Sequence, residues 1–517
     1  MNSSSLFSKR AVAAGRAARL AAAAAVLMAG GCEVGPDFRR PPSITPGRVT
    51  TDPLPARTAA SKVAEGAAQT LVVGRDIPGD WWRLFRSPVL DGLVRDALRD
   101  NPSLQAAEET LTQARELRLA QEGTLFPNIS GLASRSRQEQ PISYEGGAGP
   151  DGRAQPAFLF SQYTAQLNLS YTLDVWGGLR RAVEQTGATV DYRRFQLEAA
   201  QLALTAGVVT SAILLASLQE QIDAQQQLIG FEQKQLDTVR QQFELGGATG
   251  TDLATQQAQV AQAQTVLVPL QTQAAQARDQ LAAYTGRPPS ALILGRIDLS
   301  NFTLPEEVPV SVPAALLDQR PDIRAQEALL HQQNAALGVS IAQRLPNFTL
   351  SASVGSSAAD VHQLFSPTTG LWSVVNQVTQ PLFDAGQLLH QQRAQAAATR
   401  AAAASWRDTV VRAFQNTADV LVALTNDAQT LRYALDAQLA AQRGLSLASL
   451  QFKLGGVSYL SVLNAQQIYQ NTVITLVRAR AARLADTVAL FQALGGGWWH
   501  RDDLPAPPPG LLSSPLP

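Results

Sequence analysis

The chain has 517 residues, equal numbers of basic and acidic side chains, one cysteine and four histidines. A formal charge of zero leaves no electrostatic footprint for nucleic acid. One thiol excludes an internal disulfide framework or a multi-thiolate metal site, and His331, His362, His390 and His500 show no ligand spacing, so no metal and no cofactor is expected. Sparse aromatics and a middle rich in Ala and Gln favour long helices over a bulky globular core.

Lys9, Arg10, Arg16 and Arg19 form a basic leader, followed by an apolar run from Leu20 to Ala29 that is too short to span a bilayer. This is the pattern of a signal peptide over residues 1–31. It ends in Ala29-Gly30-Gly31-Cys32, which resembles the lipobox of bacterial lipoproteins, with Ala29 where a leucine is usual. Cys32 is then the expected lipidation site and mature N-terminus, and two anchoring signals would hold it stably on a membrane. Processing removes four cations and no anion, leaving a formal charge of about −4. Glu33 follows, not the Asp that commonly retains Gram-negative lipoproteins on the inner membrane, which favours delivery to the outer one.

From Glu33 to about Asp80 the chain is rich in Pro, Thr, Ala and Gly without periodicity and reads as an extended, lipid-anchored segment (32–80). Trp81-Trp82-Arg83-Leu84-Phe85 follows, and Ser87-Pro88 opens a helix with Ser87 as N-cap. A second helix runs from Asn101-Pro102 to about Gly123. A short strand is expected at about 129–137, then a Gly/Pro-rich loop from Glu139 to Pro156 suited to an exposed tip. Tyr163, Ala165, Leu167, Leu169, Tyr171 and Leu173 alternate with polar residues, predicting a strand over about 162–173. After the turn Asp174-Val175-Trp176-Gly177-Gly178 the pattern is helical for roughly sixty residues, about 90 Å at 1.5 Å per residue. Its seam steps by four and three from Leu204 to Phe243, the heptad of a coiled coil. Ser211, Gln225 and Glu232 interrupt it, either to fix register or to face water. A glycine-rich tip at about 245–251 breaks the helix, Thr251-Asp252 recaps a return helix, and this ends near Tyr284.

The pattern then repeats. Arg320-Pro321 answers Asn101-Pro102, Leu345-Pro346-Asn347 answers Phe126-Pro127-Asn128, and Asp384-Ala385-Gly386 answers the Asp174 turn. Strands are expected at about 347–355 and 371–379, and a second hairpin tip at about 454–459. The chain therefore divides into repeat 1 (81–300), repeat 2 (301–500) and a flexible proline-rich tail (501–517). The period of about 210 to 220 residues is far too long for a solenoid unit. Four strands cannot close a membrane barrel, which needs about eight. Open edges are not tolerated in lipid, so if these strands enter a membrane several copies must share one barrel.

Gly31-Cys32-Glu33-Val34-Gly35-Pro36-Asp37-Phe38, Trp81-Trp82-Arg83-Leu84-Phe85, Asp174-Val175-Trp176-Gly177-Gly178 and the two Leu-Gly-Gly tips resemble, in order, the marks of outer-membrane efflux lipoproteins, the OprM/NodT branch of the TolC superfamily. The resemblance covers nearly all of the mature chain. It implies an α+β membrane protein acting as a homotrimer, with a shared twelve-stranded β-barrel in the outer-membrane lipid and a periplasmic α-barrel of long helical hairpins. It also implies docking to a periplasmic adaptor and an inner-membrane pump, most often of the RND type, with passive conduction of drugs or other small molecules.

The same resemblance places a periplasmic gate at Leu460 and Asn464, one turn apart on one helix face. Asn464 stands where relatives commonly have Asp; an amide ring can hydrogen-bond shut but cannot attract cations as carboxylates do. Coiled-coil packing is the alternative for both. Asp252 is a further gate or adaptor candidate, with helix capping favoured. Gly246, Gly247, Gly455 and Gly456 are turn glycines and candidate adaptor contacts. Asp174 and Asp384 read as helix caps beside glycine turns rather than as a catalytic pair, and Trp81 and Trp82 as packing for the N-terminal segment. A periplasmic coiled-coil adaptor or structural lipoprotein would explain the helices and Cys32 but not four strands placed symmetrically. An enzyme is disfavoured because phosphate loop, nucleophile elbow and ligand cluster are all missing from the sequence.

Overall fold

The computed structural model describes residues 33–42, 48–140, 158–310 and 313–501. The expected signal peptide, Cys32 and the tail beyond Arg501 lie outside these residues, as does most of the loop after Glu139. The elements in order are β1 (Thr70–Val73), α1 (Pro88–Asp100), α2 (Pro102–Gly123), β2 (Asn128–Gln140), β3 (Phe158–Leu173), α3 (Gly178–Glu244) and α4 (Gly250–Tyr284). They are followed by β4 (Glu307–Val310), α5 (Pro313–Gln319), α6 (Pro321–Ala342), β5 (Asn347–Ala358), β6 (Gly370–Thr379), α7 (Gln387–Lys453) and α8 (Tyr459–Ala493). The duplication shows in the lengths: α2 and α6 have 22 residues each, α3 and α7 have 67, and α4 and α8 have 35. At 1.5 Å per residue a 67-residue helix carries the chain about 100 Å from the strands to the tips.

Local chemistry explains the boundaries. Ser87 caps α1 by accepting the Leu90 amide at 3.4 Å, and Asn101 caps α2 through the Ser103 and Leu104 amides, each with proline at the first helical position. Asp174 accepts the amides of Leu179 and Arg180 at 2.9 Å, and Asp384 those of Gly386 and Leu388 at 2.9 Å. Both carboxylates are therefore helix caps at the strand-to-helix corner. Backbone donors hold the Asp384 carboxyl below the ordinary carboxylate range.

β2, β3, β5 and β6 form one antiparallel sheet in that order, leaving β2 and β6 as edges of the protomer. All four strands start or end beyond the ranges expected from sequence, β2 by three residues at its far end. Register sorts the faces. Gly131, Leu167, Val354 and Trp372 are successive cross-strand neighbours on one side, as are Ile129, Leu169, Ala352 and Val374. The opposite side carries Ser130, Asn168, Ser353 and Ser373, with a bond of 2.9 Å between the last two hydroxyls. The apolar side is open: Trp372 is 78% exposed and Val378 61%.

The segment before Trp81 is more ordered than an extended covering. β1 pairs in parallel with β4 of the second repeat. Its four residues are too few to show a period, and the pairing unites distant parts of the chain. Nearby, Arg480 of α8 binds Glu65 through two bonds of 2.6 and 2.7 Å and Glu220 of α3 at 2.7 Å. Arg483, fully buried, donates to Thr58 and to the Ala67 carbonyl. Trp81, 1% exposed, stacks on Phe491 of α8 at 5.3 Å beside Phe85. The N-terminal segment is thus a strap across both repeats. Trp81→Ala is expected to cost about 3–5 kcal/mol, the range for a buried aromatic truncated to a cavity. Thermal unfolding of the detergent-solubilised protein reads this, and an unchanged melting temperature would show that the stack on Phe491 does not hold the strap.

Candidate conduit and its periplasmic end

The two tips are built alike. Each long helix ends in a left-handed glycine, Gly246 at φ +77° and Gly455 at φ +75°. The following amide donates back into the helix: Gly247 to Gln242 at 2.7 Å and Gly456 to Gln451 at 2.8 Å. This closure satisfies carbonyls that a helix end otherwise leaves open. Gly246 and Gly455 are required by that conformation. A β-carbon on Gly247 or Gly456 would meet only ordinary contact, 3.5 Å from the nearest carbonyl oxygen. The fold of a single chain therefore does not demand glycine at these two places.

Past the first tip the helix cap is Thr249, not Thr251 or Asp252. Asp252 is the third helical residue and closes a capping box: its carboxylate accepts the Thr249 amide at 2.9 Å and hydroxyl at 2.7 Å, and its own amide donates to the Thr249 hydroxyl. Those bonds hold the Asp252 carboxyl below its ordinary range. The sequence reading misplaced the cap because a glycine at the first helical position looked like part of the turn. The second tip has Ser458 and Ser461 at the equivalent places, so only the first carries this carboxylate.

Leu460 and Asn464 are both exposed, and Ile468, a turn further, continues their row. The packed positions of α8 here are Val462, Leu463, Gln466 and Gln470. The row therefore lies outside the seam that holds the helix in its own protomer. Sequence reasoning missed Ile468, although its i, i+4 spacing from Asn464 was there to be read.

Two of the three polar interruptions in the α3 seam link helices. Gln225 donates to the Ala263 carbonyl of α4 at 2.8 Å. Glu232 accepts from Gln256 of α4 at 2.6 Å, and Gln256 accepts from Tyr459 of α8 at 3.3 Å. This chain of bonds joins the first hairpin to the residue beside Leu460. Burial pushes the Glu232 carboxyl up, against the lowering effect of its neutral partner Gln256, and burial also pushes up the Tyr459 hydroxyl. Ser211 is half-buried and has no such link described.

At the strand end, Arg181 of α3 is 3% exposed and gathers Asp37 and Glu184 at 2.6 Å and Glu33 at 3.3 Å. The Val34 amide donates to the Trp176 carbonyl at 3.0 Å, and Phe38 stacks on His331 at 4.4 Å. The residues directly after Cys32 are thus clamped to the corner between β3 and α3. Nothing in the sequence pattern marked Arg181, because two of its partners, Glu33 and Asp37, lie in a stretch remote from it along the chain.

Further along the second hairpin Asp427 of α7 is pushed up to about 7, first by burial, then by the hydrogen bond and charge of Asp486 on α8, with Arg483 opposing. A carboxyl raised on folding favours the protonated fold, so stability falls as pH rises from about 4 through about 7. Asp427→Asn is expected to flatten this dependence and to raise the melting temperature at pH 8 relative to the parent. Thermal unfolding between pH 5 and 8.5 checks it; an unchanged slope would show that the pair does not titrate there.

The sequence profile described as "Outer membrane efflux protein" matches the chain twice, at residues 93–287 and 312–496. A relative from Pseudomonas putida strain KT2440, the probable efflux pump outer membrane protein TtgC, is 28% identical over 485 residues, covering 93% of this chain and 96% of its own. The pyoverdine export outer membrane protein OpmQ of Pseudomonas aeruginosa is 28% identical over 447 residues, covering 86% and 93%. Among solved structures, the outer-membrane channel OprN superposes with a TM-score of 0.79 at 24% identity over 90% of this chain and all of that one. The Campylobacter jejuni channel CmeC does so at 0.78 and 20%, over 91% and 96%. With both repeats matched in order and the same fold throughout, the chain belongs to the outer membrane efflux protein family, within the TolC superfamily.

Proposed function

We propose that three copies of this chain close a twelve-stranded barrel in the outer membrane and continue it as a helical duct, forming the passive exit of a tripartite efflux system. The observation that carries the reading is the four-stranded sheet. It has two unpaired edges, an exposed apolar side and an opposite side lined by Ser, Thr, Asn and Gln, and it feeds directly into 67-residue helices. Such a sheet is stable in lipid only when its edges meet those of other copies. The polar side then becomes the wall of a water-filled lumen.

An inner-membrane pump of the RND type and a periplasmic adaptor supply the energy and the seal. The tips are where the adaptor docks: Gly247 and Gly456 lack side chains that the chain's own fold would accommodate, which suits close approach of another backbone. Leu460 and Asn464, exposed on α8, form the narrow rings of the entrance, with Asp252 nearby on the first tip. Cys32 carries the lipid, and the Arg181 clamp sets Glu33 and Asp37, the described residues that follow it in sequence, at the corner after β3. In this reading the cargo is a small organic compound, in keeping with relatives named for toluene efflux and pyoverdine export.

Light scattering of the detergent-extracted protein, corrected for bound detergent, is expected to return three times the mass of the processed chain; a stable monomer would sink the reading. In planar bilayers Asn464→Asp is expected to raise the preference for K⁺ over Cl⁻ severalfold by placing three carboxylates at one constriction. Reversal potentials under a KCl gradient measure this. No change would remove Asn464 from the narrow part of the lumen.

A further inference from the structure

Every charged side chain on the described strands of the large sheet lies in one place. Arg135, Arg137 and Glu139 stand near the end of β2, while the described residues of β3, β5 and β6 carry none. Arg135 is opposite Tyr163 and Arg137 opposite Ser161, so both share the apolar side with Ile129 and Leu167. Both are exposed, and the Arg135 guanidinium lies over the Tyr163 ring, 5.4 Å from its centre.

Their depth follows from connectivity. β2 leaves α2 and β3 enters α3, so the turn joining the two strands is the end farthest from the helices. From Leu173 at the helix corner to Tyr163 is about 34 Å along the strand at about 3.4 Å per residue. A tilt of about 40° reduces this to about 26 Å of membrane depth, the height of the apolar band of an outer-membrane barrel. The arginines therefore sit on the lipid side at the outer boundary of that band. There, about 7 Å apart along one strand, they are two cations against the single anion Glu139.

Snorkelling explains why charge is tolerated at this level, but not why two arginines recur on one side of one strand in an otherwise uncharged sheet. A guanidinium fork matches phosphate oxygens bidentately. The outer leaflet of a Gram-negative outer membrane presents the phosphates of lipid A at this depth. We propose that Arg135 and Arg137, with Tyr163 supporting the first, form a binding site for the lipid A phosphates of lipopolysaccharide on the outer rim of the barrel. The proposal rests on the outer-membrane barrel reading above.

The test is native mass spectrometry of the purified full-length oligomer titrated with diphosphoryl lipid A, dephosphorylated lipid A and phosphatidylglycerol. The parent is expected to retain the diphosphoryl form at least tenfold better than either of the others. The double variant R135Q/R137Q is expected to lose that preference, and R135K/R137K to keep part of it. Equal retention of phosphatidylglycerol, or a glutamine variant that binds like the parent, would overturn the proposal. Oligomer mass and bilayer conductance, measured on the same preparations, should be unchanged in both variants. A parent that forms no conducting oligomer would instead bring down the barrel reading itself.

Discussion

An unpaired strand edge cannot sit in hydrocarbon, and most of this architecture answers that constraint. The protomer offers four strands and two edges, so its sheet is complete only in company. Sharing a barrel among copies places the polar side of each sheet on a common lumen and the apolar side on lipid. It also requires that the long helices stand side by side around the same axis. Their surfaces suit this: the α3 seam is packed with Leu, Val and Ala toward its own neighbours, while the many alanines of α7 leave little bulk to hinder close approach.

The duplication solves a second problem, the joining of a sheet to a duct without a weak seam. Each repeat delivers two strands, and each pair ends in an aspartate-capped corner from which a 67-residue helix departs. The two repeats are not left to cohere through helix packing alone. β1 pairs with β4 of the second repeat, Glu65 binds Arg480, and Trp81 stacks on Phe491, so the N-terminal strap crosses both halves near the middle of the duct. The same segment begins at the Arg181 clamp beside the membrane. It therefore ties the membrane end to the mid-duct along one stretch of chain.

Toward the tips the logic changes. Leu236, Val239, Val462 and Leu463 stay buried there, and among them run links such as Glu232–Gln256–Tyr459, in which a buried carboxyl, an amide and a phenol connect the two hairpins. That is the end at which the proposed entrance lies. The glycines at the tips and the exposed row of Leu460, Asn464 and Ile468 belong to the same end.

Periodicity alone determined much of this protein. The alternation from Tyr163 to Leu173 has a period of two because one side faces lipid and the other water, and the seam from Leu204 has the heptad because it packs along a neighbouring helix. Both are local signals, legible without coordinates, and so were the Asp174 and Asp384 caps and the glycine tips. The tertiary structure alone decided what depends on distant pairing. β1 is four residues whose strand character exists only against β4. Arg181 is one arginine among many until Glu33, Asp37 and Glu184 converge on it. Glu232 and Gln225 could equally have faced water, and Thr249 could have been one more turn residue, until the return helix fixed their partners. Local pattern records what each stretch must bury, whereas only the folded chain brings together the groups that satisfy buried charge and hydrogen bonding.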